Sequence, residues 1–257
     1  MKFRPCIDIH NGCVKQIVGG SLADKNSAAD ENFVSEYGGG HYAELYKSRG
    51  LSGGHIIILN PAGSEYYEAD RRQAFSALEK YPMGLQIGGG VNVDNAAEYI
   101  SHGASHVIVT SYVFKDGKIS FERLEKLCSA VGKDRVVLDL SCRRRDGKYY
   151  IVTDRWQKFT DTEVTAESIE MLRGYCDEFL IHAVDVEGKQ HGIESDIVSL
   201  LGSIDGITAT YGIGSYEDIR KLKALGRGRI DFTVGSALDI FGGCLDFDKI
   251  CSEYNDK

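Results

Sequence analysis

The chain has 257 residues, 42% of them hydrophobic, and a formal net charge of −8, which is enough apolar material for one large core without disulfide or metal staples. The acidic balance excludes an overall basic surface, so neither nucleic acid nor an anionic membrane is expected as a partner. Seven cysteines (Cys6, Cys13, Cys128, Cys142, Cys176, Cys244, Cys251) form an odd set with no CxxC pair, which argues against a zinc knuckle or disulfide framework and for a reducing cytosol.

Met1-Lys2-Phe3-Arg4-Pro5 runs directly into a first strand at 6–9, so no signal or transit peptide is expected. No stretch approaches the roughly 18 apolar residues of a membrane span. Further short apolar strands follow at 55–59, 85–87, 106–109, 135–140, 178–184, 207–210 and 229–234, the pattern of strands covered on both faces. Helical periodicity lies between most of them, at 92–102, 121–131, 166–176 and 216–225. Asp94 and Ser215 are suited to N-cap two of these helices, and Gly103 and Gly226 fall just past their ends. Eight strands alternating with helices, three prolines and no linker argue for an α/β chain forming one domain over 1–257, a single closed (β/α)8 TIM barrel. The competing doubly wound open sheet is disfavoured, because Gly212-Ile213-Gly214 lacks the third glycine of a dinucleotide fingerprint and comes near the seventh strand.

Two stretches repeat one design. Leu85-Gln86-Ile87-Gly88-Gly89-Gly90 leads through a helix to Val107-Ile108-Val109-Thr110-Ser111, and Ile207-Thr208-Ala209-Thr210-Tyr211-Gly212-Ile213-Gly214 leads to Phe232-Thr233-Val234-Gly235-Ser236. Gly90 and Gly212 are 122 positions apart, and Ser111 and Ser236 are 125 apart. The unit thus recurs at about half the chain, which predicts a two-fold half-barrel repeat with halves at about 1–130 and 131–257. A glycine loop feeding a helix N-terminus bares backbone N–H groups where the helix dipole favours an anion. The alternative is a pair of tight turns that bind nothing. Two such loops point to a small-molecule substrate carrying two phosphates.

In such a barrel, chemistry sits at the carboxyl ends of the strands. Asp8 interrupts an apolar strand there, where an ionised carboxylate is costly unless it is paired or useful. Val136-Val137-Leu138-Asp139-Leu140-Ser141 stands half a chain later and puts Asp139 and Ser141 on one face. An acidic residue from each half facing one cavity is what a paired general acid and base require.

Phe3-Arg4-Pro5-Cys6-Ile7-Asp8-Ile9-His10-Asn11-Gly12-Cys13-Val14-Lys15, Gln86-Ile87-Gly88-Gly89-Gly90-Val91, Thr153-Asp154-Arg155-Trp156-Gln157 and Glu187-Gly188-Lys189-Gln190-His191-Gly192 together resemble the ProFAR isomerase family of histidine biosynthesis, in its eukaryotic-type branch. The resemblance spans nearly the whole chain. It implies a monomeric, cofactor-free and metal-free half-barrel-duplicated enzyme that performs an Amadori rearrangement, converting the formimino ribotide ProFAR to its ribulosyl form. By position, Asp8 matches the family's general base at ribose C2. Gly89, Gly90, Thr110 and Ser111 match one phosphate cradle, and Gly212, Gly214, Gly235 and Ser236 match the other. Trp156, the only tryptophan, matches an aromatic that covers the substrate, although core packing is the ordinary use of such a residue.

The departures are specific. Bacterial members carry the acid aspartate at the position of Ser141 and a threonine at that of His182. A serine cannot replace a carboxylic acid, so Asp139 is expected as the acid that opens the ribose ring. His182 would then assist it or be a core histidine, and Asp185 is the runner-up acid. Asn92 replaces an arginine, leaving Lys15 or the run Arg143-Arg144-Arg145 to meet that phosphate, though such a run also reads as a solvated loop. Three other readings stay open: the sister cyclase of the pathway, an isomerase that also takes phosphoribosyl anthranilate, and a phosphate-binding barrel without chemistry.

Overall fold

Eight strands run in chain order, β1 (Cys6–His10), β2 (Gly54–Ile58), β3 (Leu85–Gly88), β4 (Val107–Val109), β5 (Val136–Asp139), β6 (Glu178–Ile181), β7 (Thr208–Gly212) and β8 (Asp231–Thr233), each hydrogen-bonded in parallel to the next. They were traced in a computed structural model that describes residues 1–17, 31–154, 156–184 and 192–255. The ring closes where Phe3 pairs in parallel with Phe232, Arg4 N donating to Phe232 O at 2.8 Å and Phe232 N to Lys2 O at 2.9 Å. The structure is thus the expected barrel, with no open edge between its first and last staves.

Strand periodicity sorts the side chains. On β1, Ile7 and Ile9 are completely buried in the main core, under the surrounding helices, while Cys6, Asp8 and His10 take the opposite, inner face. Ile108, Val137 and Leu180, with Ile57 against them, form a second, smaller apolar cluster inside the ring. The outer layer consists of α1 (Gly39–Ser48), α2 (Tyr67–Lys80), α3 (Ala96–Ser101), α4 (Phe121–Val131), α5 (Ala166–Leu172), α6 (Ser195–Ser203), α7 (Tyr216–Leu225) and α8 (Phe247–Tyr254). Each fully buried Leu, Ile or Phe on this interface contributes about 1.5–3 kcal/mol. Among the described residues, no helix is long and apolar enough to cross a membrane.

The helices expected at 121–131 and 216–225 form as read, and Ser215 caps α7 by accepting Asp218 N. Two others are shorter. Asn92 Oδ1 accepts Asp94 N at 2.8 Å and Asn95 Oδ1 accepts Asn92 N at 2.9 Å, so side chains compete for the backbone and hold 92–95 in turns. The helix therefore starts at Ala96 with Asn95, not Asp94, at its N-cap. α5 ends at Leu172, two residues before Gly174.

The main additions are antiparallel. β1 turns straight into a strand at Cys13–Ile17 that pairs with Glu31–Val34. Phe114–Lys115 pairs with Lys118–Ile119, and β5 is followed by three strands at Cys142–Arg145, Lys148–Thr153 and Lys158–Glu163. All three insertions hang on Asx-Gly turns with both residues left-handed: Asn11 and Gly12 at φ 52° and 78°, Asp116 and Gly117 at 52° and 77°, Asp146 and Gly147 at 52° and 80°. That backbone matches the twist of a two-residue hairpin. The run Arg143-Arg144-Arg145 is accordingly a strand and not a loop. Arg143 and Arg145 lie over the Phe159 ring, 5.6 and 4.7 Å from its centroid.

Candidate active site

The inner face of the barrel is polar in layers. At its floor, Arg4 Nη1 donates to Glu178 Oε2 at 2.7 Å and Arg4 Nε to Asp231 Oδ2 at 2.8 Å, and Gln86 Nε2 also donates to Glu178. Burial pushes the Glu178 carboxyl up, with Arg4 opposing. This network ties the first, third, sixth and eighth staves together. One layer higher, Cys6 and His55 are register partners on β1 and β2. Donor atoms of Cys6, Asp8 and His55 lie within 4.8 Å of one another. Burial, with His182 nearby, pushes the His55 imidazole down to about 3, so it is neutral at ordinary pH.

Across the ring from Asp8, at the end of β5, Asp139 is held in a nest of donors. Ser141 gives its N–H and its hydroxyl to Asp139 Oδ1, both at 2.8 Å. Thr110 Oγ1 donates to Oδ2 at 3.0 Å, and His182 Nδ1 stands 3.5 Å from Oδ1. Burial pushes Asp139 up, but His182, Ser141 and Thr110 outweigh it and hold the carboxyl below its usual range. Trp156 Nε1 donates to Ser141 Oγ at 3.1 Å. The single tryptophan is therefore wired to the β5 carboxylate through a serine. The His182 and His55 rings meet edge to face at 6.4 Å, so a line of titratable groups, Asp8, His55, His182 and Asp139, crosses the lumen.

The glycine loops stand at two places on the ring, after the adjacent β3 and β4 and after the adjacent β7 and β8, with β1 and β5 between them on either side. Gly89 and Gly90 are left-handed, at φ 95° and 72°. A Cβ on Gly89 would lie 2.0 Å from Ile58 O, so packing of the β3 end against β2 alone demands glycine there. Gly90 is open, with nothing nearer than Tyr67 Oη at 3.9 Å from such a Cβ. The Thr110 hydroxyl is committed to Asp139, whereas Ser111 Oγ accepts Asp154 N at 3.2 Å. In the second loop, Gly214 N donates to Asp218 Oδ2 at 3.3 Å, so that N–H already has an anion. Gly212 pairs with Thr233, and a Cβ on Gly235 would lie 2.5 Å from Gln16 Oε1. Ser236 is half-buried beside it.

Lys15 is buried on the first hairpin, near enough for its charge to act on Asp70 of α2. Asp70 Oδ1 in turn accepts Gly12 N at 2.6 Å. Asp185, Arg155 and 187–191 lie outside the described residues. His55, Gln86, Glu178 and Asp231 were missed in the sequence. Each is a polar residue within an apolar strand at the inward parity, the same signal that singled out Asp8.

The family described as "Histidine biosynthesis protein" matches residues 2–243. A Medicago truncatula protein is 49% identical, covering 100% of this chain and 83% of its own length; its name is 1-(5-phosphoribosyl)-5-((5-phosphoribosylamino)methylideneamino)imidazole-4-carboxamide isomerase, chloroplastic. Proteins of Yarrowia lipolytica and Saccharomyces cerevisiae with the same isomerase name are 46% and 43% identical, each covering 100% of this chain and 98% of its own length.

Proposed function

This chain belongs to the histidine biosynthesis protein family, and from that membership we propose that it is an aldose–ketose isomerase acting on ProFAR, the substrate in its relatives' names. The observation that carries the reading is the placement of two carboxylates, Asp8 and Asp139, on opposite staves between the two glycine-loop ends. The Asp139–His182 pair supplies the proton that the ribose ring oxygen takes up as the ring opens. Because Asp139 is held ionised, the transferable proton resides on the imidazole, which the carboxylate orients and stabilises. Asp8 then removes the proton from C2, whose electron pair moves toward C1 and the iminium nitrogen. Protonation at C1 and loss of the C2 hydroxyl proton complete the ketose, with no net change in protons.

The phosphates are assigned to Gly89, Gly90 and Ser111 on one side and to Gly212, Gly235 and Ser236 on the other, with Lys15 or Arg143 as the cation that Asn92 does not provide. Trp156 covers the ring-opening end. The half-barrels at 1–130 and 131–257 each bring one carboxylate and one phosphate loop. One copy supplies every residue of this scheme, which favours a monomer, and seven free cysteines favour a reducing compartment such as the cytosol.

A spectroscopic isomerase assay on ProFAR, run beside phosphoribosyl anthranilate and a glutaminase-coupled cyclase reaction, tests the reading. Turnover of ProFAR and neither alternative is expected. Bisphosphate binding without turnover would leave a binding protein, and cyclase activity would reassign the chain to the sister enzyme. Near-normal turnover of Asp139→Asn would show that the Asp139 carboxylate is not needed to orient and stabilise the imidazole acid.

A further inference from the structure

Cys6, Asp8 and His55 are three different kinds of metal donor on one patch of the inner wall. They converge for a topological reason. Cys6 and Asp8 are two apart on β1 and so share a face, and Cys6 is the direct register partner of His55 on β2. Their donor atoms lie within 4.8 Å of one another. Around a tetrahedral zinc, donors stand about 3.3–3.6 Å apart, given bonds of about 2.0–2.3 Å, so modest side-chain rotation brings the three to one ion. Cys6 and His55 are only 3% and 5% exposed, while Asp8, nearer the carboxyl end of β1, is half-buried. An ion would therefore enter from the barrel mouth past Asp8.

We infer that Cys6, Asp8 and His55 form a three-ligand site for a borderline-soft divalent cation, zinc in the first instance, and that occupation of this site inhibits the enzyme. A thiolate, an imidazole and a carboxylate together select zinc or cadmium over magnesium or calcium, which take oxygen donors. On binding, the Cys6 thiol releases its proton to the buffer, giving up its donation to Val234 O at 3.6 Å. The resulting thiolate keeps the Gln16 Nε2 donor, 3.8 Å away, as an outer partner. The inhibition rests on the proposed role of Asp8 as base, since a carboxylate whose lone pair holds a cation cannot remove the C2 proton.

The test uses the reduced full-length chain after chelator treatment, titrated with cadmium while the thiolate-to-cadmium charge-transfer absorbance is followed. The tightest equivalent of that band is expected in the parent protein and in Cys244→Ser, which lacks an exposed cysteine, but not in Cys6→Ser or Cys6→Ala. His55→Gln should weaken it, and zinc should displace it. In the isomerase assay, Cys6→Ser with chelator should turn over like the parent. Zinc should inhibit the parent, and half-inhibition of Cys6→Ser should need at least about tenfold more zinc, as expected when a ligand is lost. A cadmium band unchanged by both Cys6 substitutions overturns the site. A Cys6-dependent band in a protein that turns over ProFAR unaffected by zinc upholds the site and overturns the inhibition. The same band in a protein with no turnover of ProFAR upholds the site and counts against the isomerase reading instead.

Discussion

Ser141 shows how one residue carries a departure from the pattern that the sequence resemblance implies. In sequence it reads as a lost acid. In the structure it is a connector, giving two hydrogen bonds to Asp139 and accepting one from Trp156. Replacing it with alanine removes the hydroxyl bond to a charged carboxylate, an interaction of about 1.5–3 kcal/mol. Ser141→Ala is therefore expected to lower kcat about ten- to a hundredfold, move the acid limb of the pH–rate profile upward as Asp139 loses a donor, and change the Trp156 emission. Unchanged emission together with an unchanged pH profile would show that the Trp156–Ser141–Asp139 line does not couple the loop to the carboxylate.

At the scale of elements, the β3 glycines make a paired prediction. Gly89→Ala puts a Cβ 2.0 Å from the Ile58 carbonyl, which the packed barrel wall cannot relieve, so this variant should fail to fold or lose more than about 4 kcal/mol. Gly90→Ala meets only the strain of a left-handed backbone and should cost about 1 kcal/mol. Denaturant unfolding of the two decides it, and equal losses would contradict the packing account. The eight staves were legible because short apolar runs separated by helical periodicity leave few alternatives. The hairpins fall outside the strand–helix alternation, and their local signals are the Asn11-Gly12, Asp116-Gly117 and Asp146-Gly147 turns, which interrupt no apolar run and no helical period. Asp8 and Asp139 were legible as charges in apolar strands. His55 and Glu178 carry the same signal and were overlooked, since only register shows which inward residues meet. The hydrogen bond from Thr110 to Asp139 is not legible either, because a side chain's partner on the next stave is not written in its own strand.

For the molecule as a whole, the polar lumen links stability to pH. His55 is held near 3 when folded and titrates at about 6.5 when unfolded. Below about pH 6.5 the unfolded chain binds a proton that the folded one refuses, so stability falls with decreasing pH by about 1.4 kcal/mol per unit from this group until about pH 3. Between pH 7 and pH 5, with chelator present, His55→Gln should lose about 2 kcal/mol less than the parent in urea unfolding, and parallel losses would contradict the burial of a neutral imidazole. The proposed isomerisation of ProFAR with Asp8 as the base at C2 is tested by turnover of Asp8→Asn, which keeps the size of the side chain and removes its basicity. A loss of at least about a thousandfold in kcat is predicted, within the range of general base catalysis, with thermal unfolding close to that of the parent. Turnover within a few fold of the parent would contradict it.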